Sequence, residues 1–375
     1  MKEWNTYKLK DICLKITDGS HFSPTACVDG YPMFSVKDME EYGFNYSSCK
    51  RISAEDFNTL KANDCIPQKG DVLVAKDGSF LKQIFVCNET REEAILSSIA
   101  IFRPNPEYVI PEFLCYILKS PKVYNYIAQN CVSGSALPRI VLKAFKDVEV
   151  SIPSIDIQKW IISKLTHIDQ KIQLNRQIND NLEQQARELF KSWFINSPQE
   201  SWKEKSLSDY FNVITGKKDA NYSTPEGAYP FFTCSQDILK APSYSFDGHA
   251  ILVAGNGDFN VKRYIGKFEA YQRTYVLIPH EEKFHAFLYL MIDYYLPEIT
   301  GGSRGSVIKF ITKGNIANFR FRVPQNNIDD QLKKLNDIYK IIDCNLEESS
   351  RLTKMRDTLL PKLMSGELKI NEIDC

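Results

Sequence analysis

The chain repeats itself, and a repeat limits the folds open to 375 residues more sharply than any other feature. Trp4 and Leu9, followed by Asp11, recur as Trp202, Leu207 and Asp209. Ile16-Thr17-Asp18-Gly19 recurs as Val213-Ile214-Thr215-Gly216, and Tyr31-Pro32-Met33-Phe34 as Tyr229-Pro230-Phe231-Phe232. Gly70-Asp71-Val72-Leu73-Val74-Ala75 recurs as His249-Ala250-Ile251-Leu252-Val253-Ala254, with Gly78 and Phe80 matched by Gly257 and Phe259. Ser133-Gly134-Ser135 returns as Arg304-Gly305-Ser306, and each copy ends in an apolar strand closed by proline, at 148–153 and 319–324. Short β-rich runs mix with helical stretches such as 112–129 and 282–295, so two copies of one compact α+β domain are predicted. At roughly 150 residues per domain, the length agrees.

After each proline the apolar period changes from two to a helical one. The first copy runs through Ile161, Leu165, Ile168, Ile172, Asn175, Asn179, Leu182, Ala186, Leu189 and Trp193 in steps of three and four. That is a heptad seam along one long helix. Ser154 is placed as its N-cap and Asp156 in its first turn. The second copy offers Leu335, Ile338, Ile342, Leu346, Ser349, Leu352, Leu359 and Leu363, with Pro361 expected to bend or end the helix and Gly366 to close it. The predicted order is a domain at 1–153, a helical spacer at 154–196, a second domain at 197–324 and a second helical spacer at 325–375. Asn196-Ser197-Pro198-Gln199 reads as the linker between halves.

A first helix over 156–194 would be about 58 Å long at roughly 1.5 Å per residue. Antiparallel pairing of the two helices joins the second domain to one end without a long bridge. The expected architecture is two similar domains separated by an antiparallel coiled coil, in a pseudo-two-fold arrangement. Asn175 and Asn179 occupy consecutive seam positions, where buried amides fix register or contact a partner protein. Two-headed DNA readers use such geometry, with half-sites about 34 Å apart.

Composition sets the outer limits. Lys and Arg together number 47, as do Asp and Glu, so the net charge is zero, which argues against gripping nucleic acid by bulk charge alone. The ten cysteines form no CxxC pair and fit no zinc-ribbon spacing, so buried free thiols in a reducing compartment are expected. The polar start Met1-Lys2-Glu3-Trp4-Asn5 is unlike a signal peptide, and the longest apolar run, 287–296, contains Asp293 and is half a membrane span long. A soluble, cytoplasmic protein is expected.

The layout and motifs together resemble the specificity (S) subunit of type I restriction-modification systems over essentially the whole chain. The likeness is carried by the Trp4 to Gly19 segment with Asp18-Gly19-Ser20-His21, by Lys69-Gly70-Asp71-Val72-Leu73-Val74, and by Ser133-Gly134-Ser135 leading to Val150-Ser151-Ile152-Pro153-Ser154. Leu165, Ile168, Asp169 and Ile172, and the terminal Leu359-Leu360-Pro361-Lys362-Leu363-Met364-Ser365-Gly366-Glu367-Leu368, are similar to that family's helical spacers. The resemblance implies that each globular domain is a target recognition domain for one half of a bipartite sequence in double-stranded DNA. It implies that the helices set the gap and dock two modification subunits, with restriction subunits joining for cleavage. S-adenosylmethionine, ATP and magnesium would belong to those partners, leaving this chain without cofactor and non-catalytic. The alternative is a stand-alone two-headed DNA-binding protein.

The residues themselves offer little for catalysis. An amino-methyltransferase needs an Asn/Asp-Pro-Pro-Tyr/Phe element and a glycine-rich cofactor loop, and neither is present. Gly255-Asn256-Gly257-Asp258 lacks a third spaced glycine. At Asp71 to Lys76, Ala75 stands where an acid-plus-lysine nuclease needs a second carboxylate. His280 and His285 are five apart, not the four of a helical zinc pair.

Candidate DNA contacts follow from chemistry: Arg or Lys on guanine, Asn or Gln on adenine, and glycine where the backbone approaches closely. In the first domain these are Gly19, Ser20 and His21; Lys76, Gly78 and Ser79; and Ser133, Gly134, Ser135 and Arg139. In the second they are Lys217, Lys218, Asn256, Lys262, Arg263, Arg273, Ser303, Arg304 and Ser306. Such loops are also ordinary turns, and a scattered lysine is ordinarily solvated. Helix-helix or partner contacts are expected from Ile168, Ile172, Asn175, Asn179, Leu182, Leu189, Ile342, Leu346, Leu352 and Leu359.

Overall fold

The repeated apolar runs become repeated strands. In the first domain, strand Val72–Ala75 is buried along its whole length, which suits its unbroken Val-Leu-Val-Ala sequence. It lies in an antiparallel sheet of order Cys13–Asp18, Ile99–Pro104, Val72–Ala75, Ile84–Val86. The second domain repeats this order as Phe211–Thr215, Thr274–Pro279, Phe246–Ala254, Val261–Ala270. There the last strand runs on unbroken to pair in parallel with Tyr229–Phe232. In the first domain the corresponding strand is interrupted, and a separate Ala94–Ile95 pairs in parallel with Tyr31–Phe34. Each domain closes by pairing its first and last strands: Asn5–Lys8 with Glu149–Ile152, and Lys203–Ser206 with Arg320–Val323. Gly19 and Gly216 hold the same place, where a Cβ would lie 2.3 Å from the Ile95 oxygen and 2.1 Å from the Tyr271 oxygen. Glycine alone fits such an approach.

This architecture is that of a computed structural model, which describes residues 4–47, 49–78, 80–134, 138–196, 198–301, 309–325 and 327–368. The chain divides into two compact units, Met1–Leu174 with Glu348–Cys375, and Asn175–Glu347. The division falls inside the two long helices, Ile155–Phe194 and Asp329–Met364. Each unit therefore contains one domain and a stretch of both helices. In the first unit, Ile161 and Leu165 of one helix and Leu360 and Leu363 of the other join a core with Phe102, Phe113 and Phe145. In the second, Ala186, Phe190, Phe194, Leu332 and Leu335 join one with Phe211, Phe287 and Leu277.

The helices pair antiparallel within each unit. In the first, Lys171 meets Glu348 at 3.3 Å and Asp169 meets Arg356 at 2.9 Å. In the second, the Asn345 amide donates to Asn179 at 2.8 Å and the Asn179 amide to the Ile342 carbonyl at 3.3 Å. Asn175 is buried and faces the Asn345 carbonyl at 3.5 Å.

Two expectations about the seam are corrected. Leu346 is 57% exposed, and Asn345 turns inward instead. After the four-residue step from Ile338 to Ile342, the alternation of three and four calls for position 345, so register outranks side-chain polarity. At the end of the first helix the buried residues are Ala186, Phe190 and Phe194, whereas Leu189 and Trp193 are half-buried. There the helix packs on its domain, and a straight α-helix repeats nearer 3.6 than 3.5 residues. Ile172 and Ile342 are buried, while Ile168, Leu182, Leu352 and Leu359 are half-buried. The second helix continues past Pro361 to Met364, and Gly366 follows with φ +73°.

Candidate nucleic-acid interface

The three candidate loops of the first domain meet at one edge. They follow strands Cys13–Asp18 and Val72–Ala75 and the short hairpin of Val132–Ser133 with Arg139–Ile140. The backbone ties them together. Gly78 N–H donates to Pro138 O at 2.8 Å, Ile140 N–H to Lys76 O at 3.0 Å, and Ser97 N–H to Ser20 O at 2.9 Å. Side chains finish the join. Lys76, almost fully buried, places its ammonium 3.1 Å from Asp18 and 3.5 Å from Asp77. Arg139 lies 3.2 Å from Asp77, and His21 3.4 Å from Asp18. The two exposed members are His21 (74%) and Arg139 (61%), alongside exposed Ser133 and Gly134. Ser20 is buried, its hydroxyl donating to the Phe22 carbonyl at 2.7 Å. Lys76 thus orders the edge from within, while His21, Ser133 and Arg139 present it to solvent.

The second domain rebuilds the backbone of this edge. Gly257 N–H donates to Lys309 O at 3.0 Å and Ile311 N–H to Gly255 O at 3.0 Å, matching the bonds of Gly78 and Ile140. The bridge Asn256–Phe310 matches Asp77–Arg139. Gly78 and Gly257 both take positive φ, +67° and +72°. Lys217 and Arg273 are exposed on this edge, and Lys218 and Asn256 are half-buried. Lys217 lies 5.2 Å from the Phe246 ring and Lys218 4.4 Å from the Tyr222 ring. Ser79, Ser135, Ser303, Arg304 and Ser306 lie outside the described residues.

Two sequence candidates are committed elsewhere. Arg263 makes paired hydrogen bonds to Asp343 at 2.6 and 2.9 Å and covers the Tyr339 ring at 4.2 Å, so it fastens the sheet to the second long helix. Lys262 donates to Ser235 O and Asn260 Oδ1, both at 2.6 Å, and burial draws its pKa below the ordinary lysine value. Neither joins the exposed edge; a lysine-arginine pair on a strand gives no sign of which face carries each charge. Sequence reasoning passed over Gln272, Lys309 and Phe310, which are exposed on the same edge. Their only signal was position, beside Arg273 and opposite Asn256 in the repeat. Among the described residues, no cluster of His, Cys, Asp and Glu could hold a metal, and no helix is long and apolar enough to cross a membrane.

Comparison with known proteins agrees with the duplication. A family described as the type I restriction modification DNA specificity domain matches residues 1–184 and again 199–353. The specificity subunit of the type I restriction enzyme EcoDI of Escherichia coli is 39% identical over 172 residues, which span 44% of this chain and 38% of that protein. The specificity subunit of the MjaIX enzyme of Methanocaldococcus jannaschii is 24% identical, covering 99% of this chain and 95% of the relative. That of the HindI enzyme of Haemophilus influenzae is 23% identical, covering 98% and 100%. Among solved structures, the type I restriction-modification S subunit from M. genitalium shares the fold, with TM-score 0.58, 17% identity and 96% of each chain covered. With both halves matched in the order in which the sequence and the fold repeat, the chain belongs to the type I restriction-modification DNA specificity family.

Proposed function

We propose that this chain supplies sequence recognition to a type I restriction-modification complex, each domain reading one half of a bipartite target in double-stranded DNA. The observation that carries this reading is the doubled edge: one set of backbone bonds, built twice, offers different side chains at equivalent places. That is what two readers of two different half-sequences require. Phosphates position a protein and base edges specify the sequence, and small, polar and basic loop residues serve both ends. The named relatives are specificity subunits. The paired helices set the gap between half-sites and dock two modification subunits, which bring S-adenosylmethionine; restriction subunits bring ATP and magnesium chemistry. This chain performs no catalysis, and the complex works in the cytoplasm. The zero net charge fits a reader that shares phosphate neutralisation with partners.

The test is co-expression with a type I modification subunit from the source cell, followed by methylome sequencing with and without this chain. A bipartite methylated motif that depends on the chain is the expected result. Tight sequence-selective binding by the chain alone, with no association with a modification subunit, would favour a stand-alone DNA-binding protein.

A further inference from the structure

The two edges share a backbone but not a chemistry. In the second domain Thr215, Gly255, Gln272, Arg273, Tyr275 and Ile311 line a cavity of about 290 Å3. Strand register and backbone bonds match these positions to Asp18, Lys76, Ser97, Ser98, Ala100 and Ile140 of the first domain. There the site satisfies itself: the Lys76 ammonium is held between Asp18 and Asp77. In the second domain Gly255 contributes no side chain and Thr215 no charge. Tyr275 stands where the first domain has Ala100, its hydroxyl bound to the Ile311 carbonyl at 2.7 Å. Asp219, an acid tied to the rim, is held by the Gln272 amide at 2.6 Å. Arg273 is exposed on that rim and has no ion-pair partner among the described residues.

An unpaired guanidinium beside an uncharged cavity calls for a ligand that offers two acceptors side by side. We propose that Arg273 and this cavity form the acceptor-reading site of the second domain, taking a paired-acceptor group of the DNA, either the O6/N7 edge of a guanine or two oxygens of a backbone phosphate. The equivalent place in the first domain is occupied by its own lysine, so the two half-sites are read by different means. The proposal rests on the DNA-reading function above and assigns one residue to it.

The experiment compares the intact complex carrying the wild-type chain with Arg273→Gln and, separately, Thr215→Asp, which keeps the guanidinium but sets a carboxylate beside it. Methylome motifs, methylation rates and the salt dependence of DNA binding are read, with thermal melting of each variant as the folding control. If guanine is the ligand, one base pair of one half-site relaxes in both variants, its preference falling about tenfold to hundredfold. If phosphate is the ligand, the motif stays intact, the rate falls, and the salt slope drops by about one phosphate. Unchanged motif, rate and slope in folded variants overturn the proposal. So does a change confined to the half-site that domain exchange assigns to residues 1–153. A wild-type complex that methylates no bipartite motif sinks the functional reading itself, and this assignment with it.

Discussion

His285 carries a pH dependence that belongs to one side chain. It is buried in the second domain, its Nε2 3.1 Å from the Ala250 carbonyl. Burial, opposed by that carbonyl and reinforced by the neighbouring Arg263 and His249, lowers its pKa from 6.5 to about 4. Between those values the unfolded chain binds a proton that the folded chain refuses. Stability is therefore fully present above pH 6.5 and is lost as pH falls towards 4, by up to about 3 kcal/mol. Urea unfolding at pH 7.5 and 5 should show the loss in the wild type and a flatter response in His285→Gln. Arg356 carries a second prediction. Its guanidinium meets Asp169 at 2.9 Å and Glu41 at 3.4 Å, while the Tyr116 hydroxyl donates to Asp169 at 2.5 Å. Arg356→Met leaves that carboxylate with a reduced set of partners in a largely buried place, at a cost of roughly 3 kcal/mol read as a lower denaturant midpoint. The sequence hinted at His285 only as a histidine without a metal partner, and at Arg356 not at all. Both roles depend on groups from 35 to more than 300 residues away, which local pattern cannot bring together.

At the scale of elements, what the sequence made plain is what repeats with a period. The sheet strands, the two long helices and their antiparallel pairing follow from alternation, heptads and topology. What escaped were places where tertiary packing outvotes the period. Phe190 and Phe194 displace Leu189 and Trp193 because the helix end packs into the core of its domain. Asn345 displaces Leu346 for a different reason: the alternation of three and four keeps position 345 on the seam, facing Asn175 and Asn179, although its neighbour is the apolar residue. If it serves register, this amide layer should fix alignment at a cost in stability. Replacing Asn175, Asn179 and Asn345 together by leucine should raise the melting temperature while weakening the preference for one register. Cysteine pairs placed for the native register, such as Lys171→Cys with Glu348→Cys, should then cross-link less selectively than in the parent chain. Equal selectivity and an unchanged melting temperature would assign the layer to contact with a partner protein instead.

For the whole molecule the question is where one reader ends and the other begins. Turn and proline signals put the boundaries of the second domain at 197 and 324. The hydrophobic core of that domain draws further residues from the helices, Ala186, Phe190 and Phe194 from one, and Leu332, Leu335, Ile338, Tyr339 and Ile342 from the other. A cut at 197 and 324 thus passes between a core and its own walls. The compact unit instead runs from Asn175 to Glu347. Two exchanges with a relative of different specificity separate these views. Exchanging 197–324 leaves foreign strands against native Phe190 and Leu335. The mismatch should cost about 1–3 kcal/mol by misfilled or overpacked contacts. Exchanging 175–347 carries the walls with the core but replaces Asn175, Asn179 and Asn345 with the relative's residues at the crossover. If each domain reads alone, both chimaeras should change the same half of the methylated motif and leave the other half intact, with the shorter exchange melting at the lower temperature. A change in both halves would mean that the readers are coupled through the helices. Equal melting temperatures would mean that the helix-facing core residues are interchangeable between relatives, and that specificity can be exchanged at the turn signals visible in the sequence.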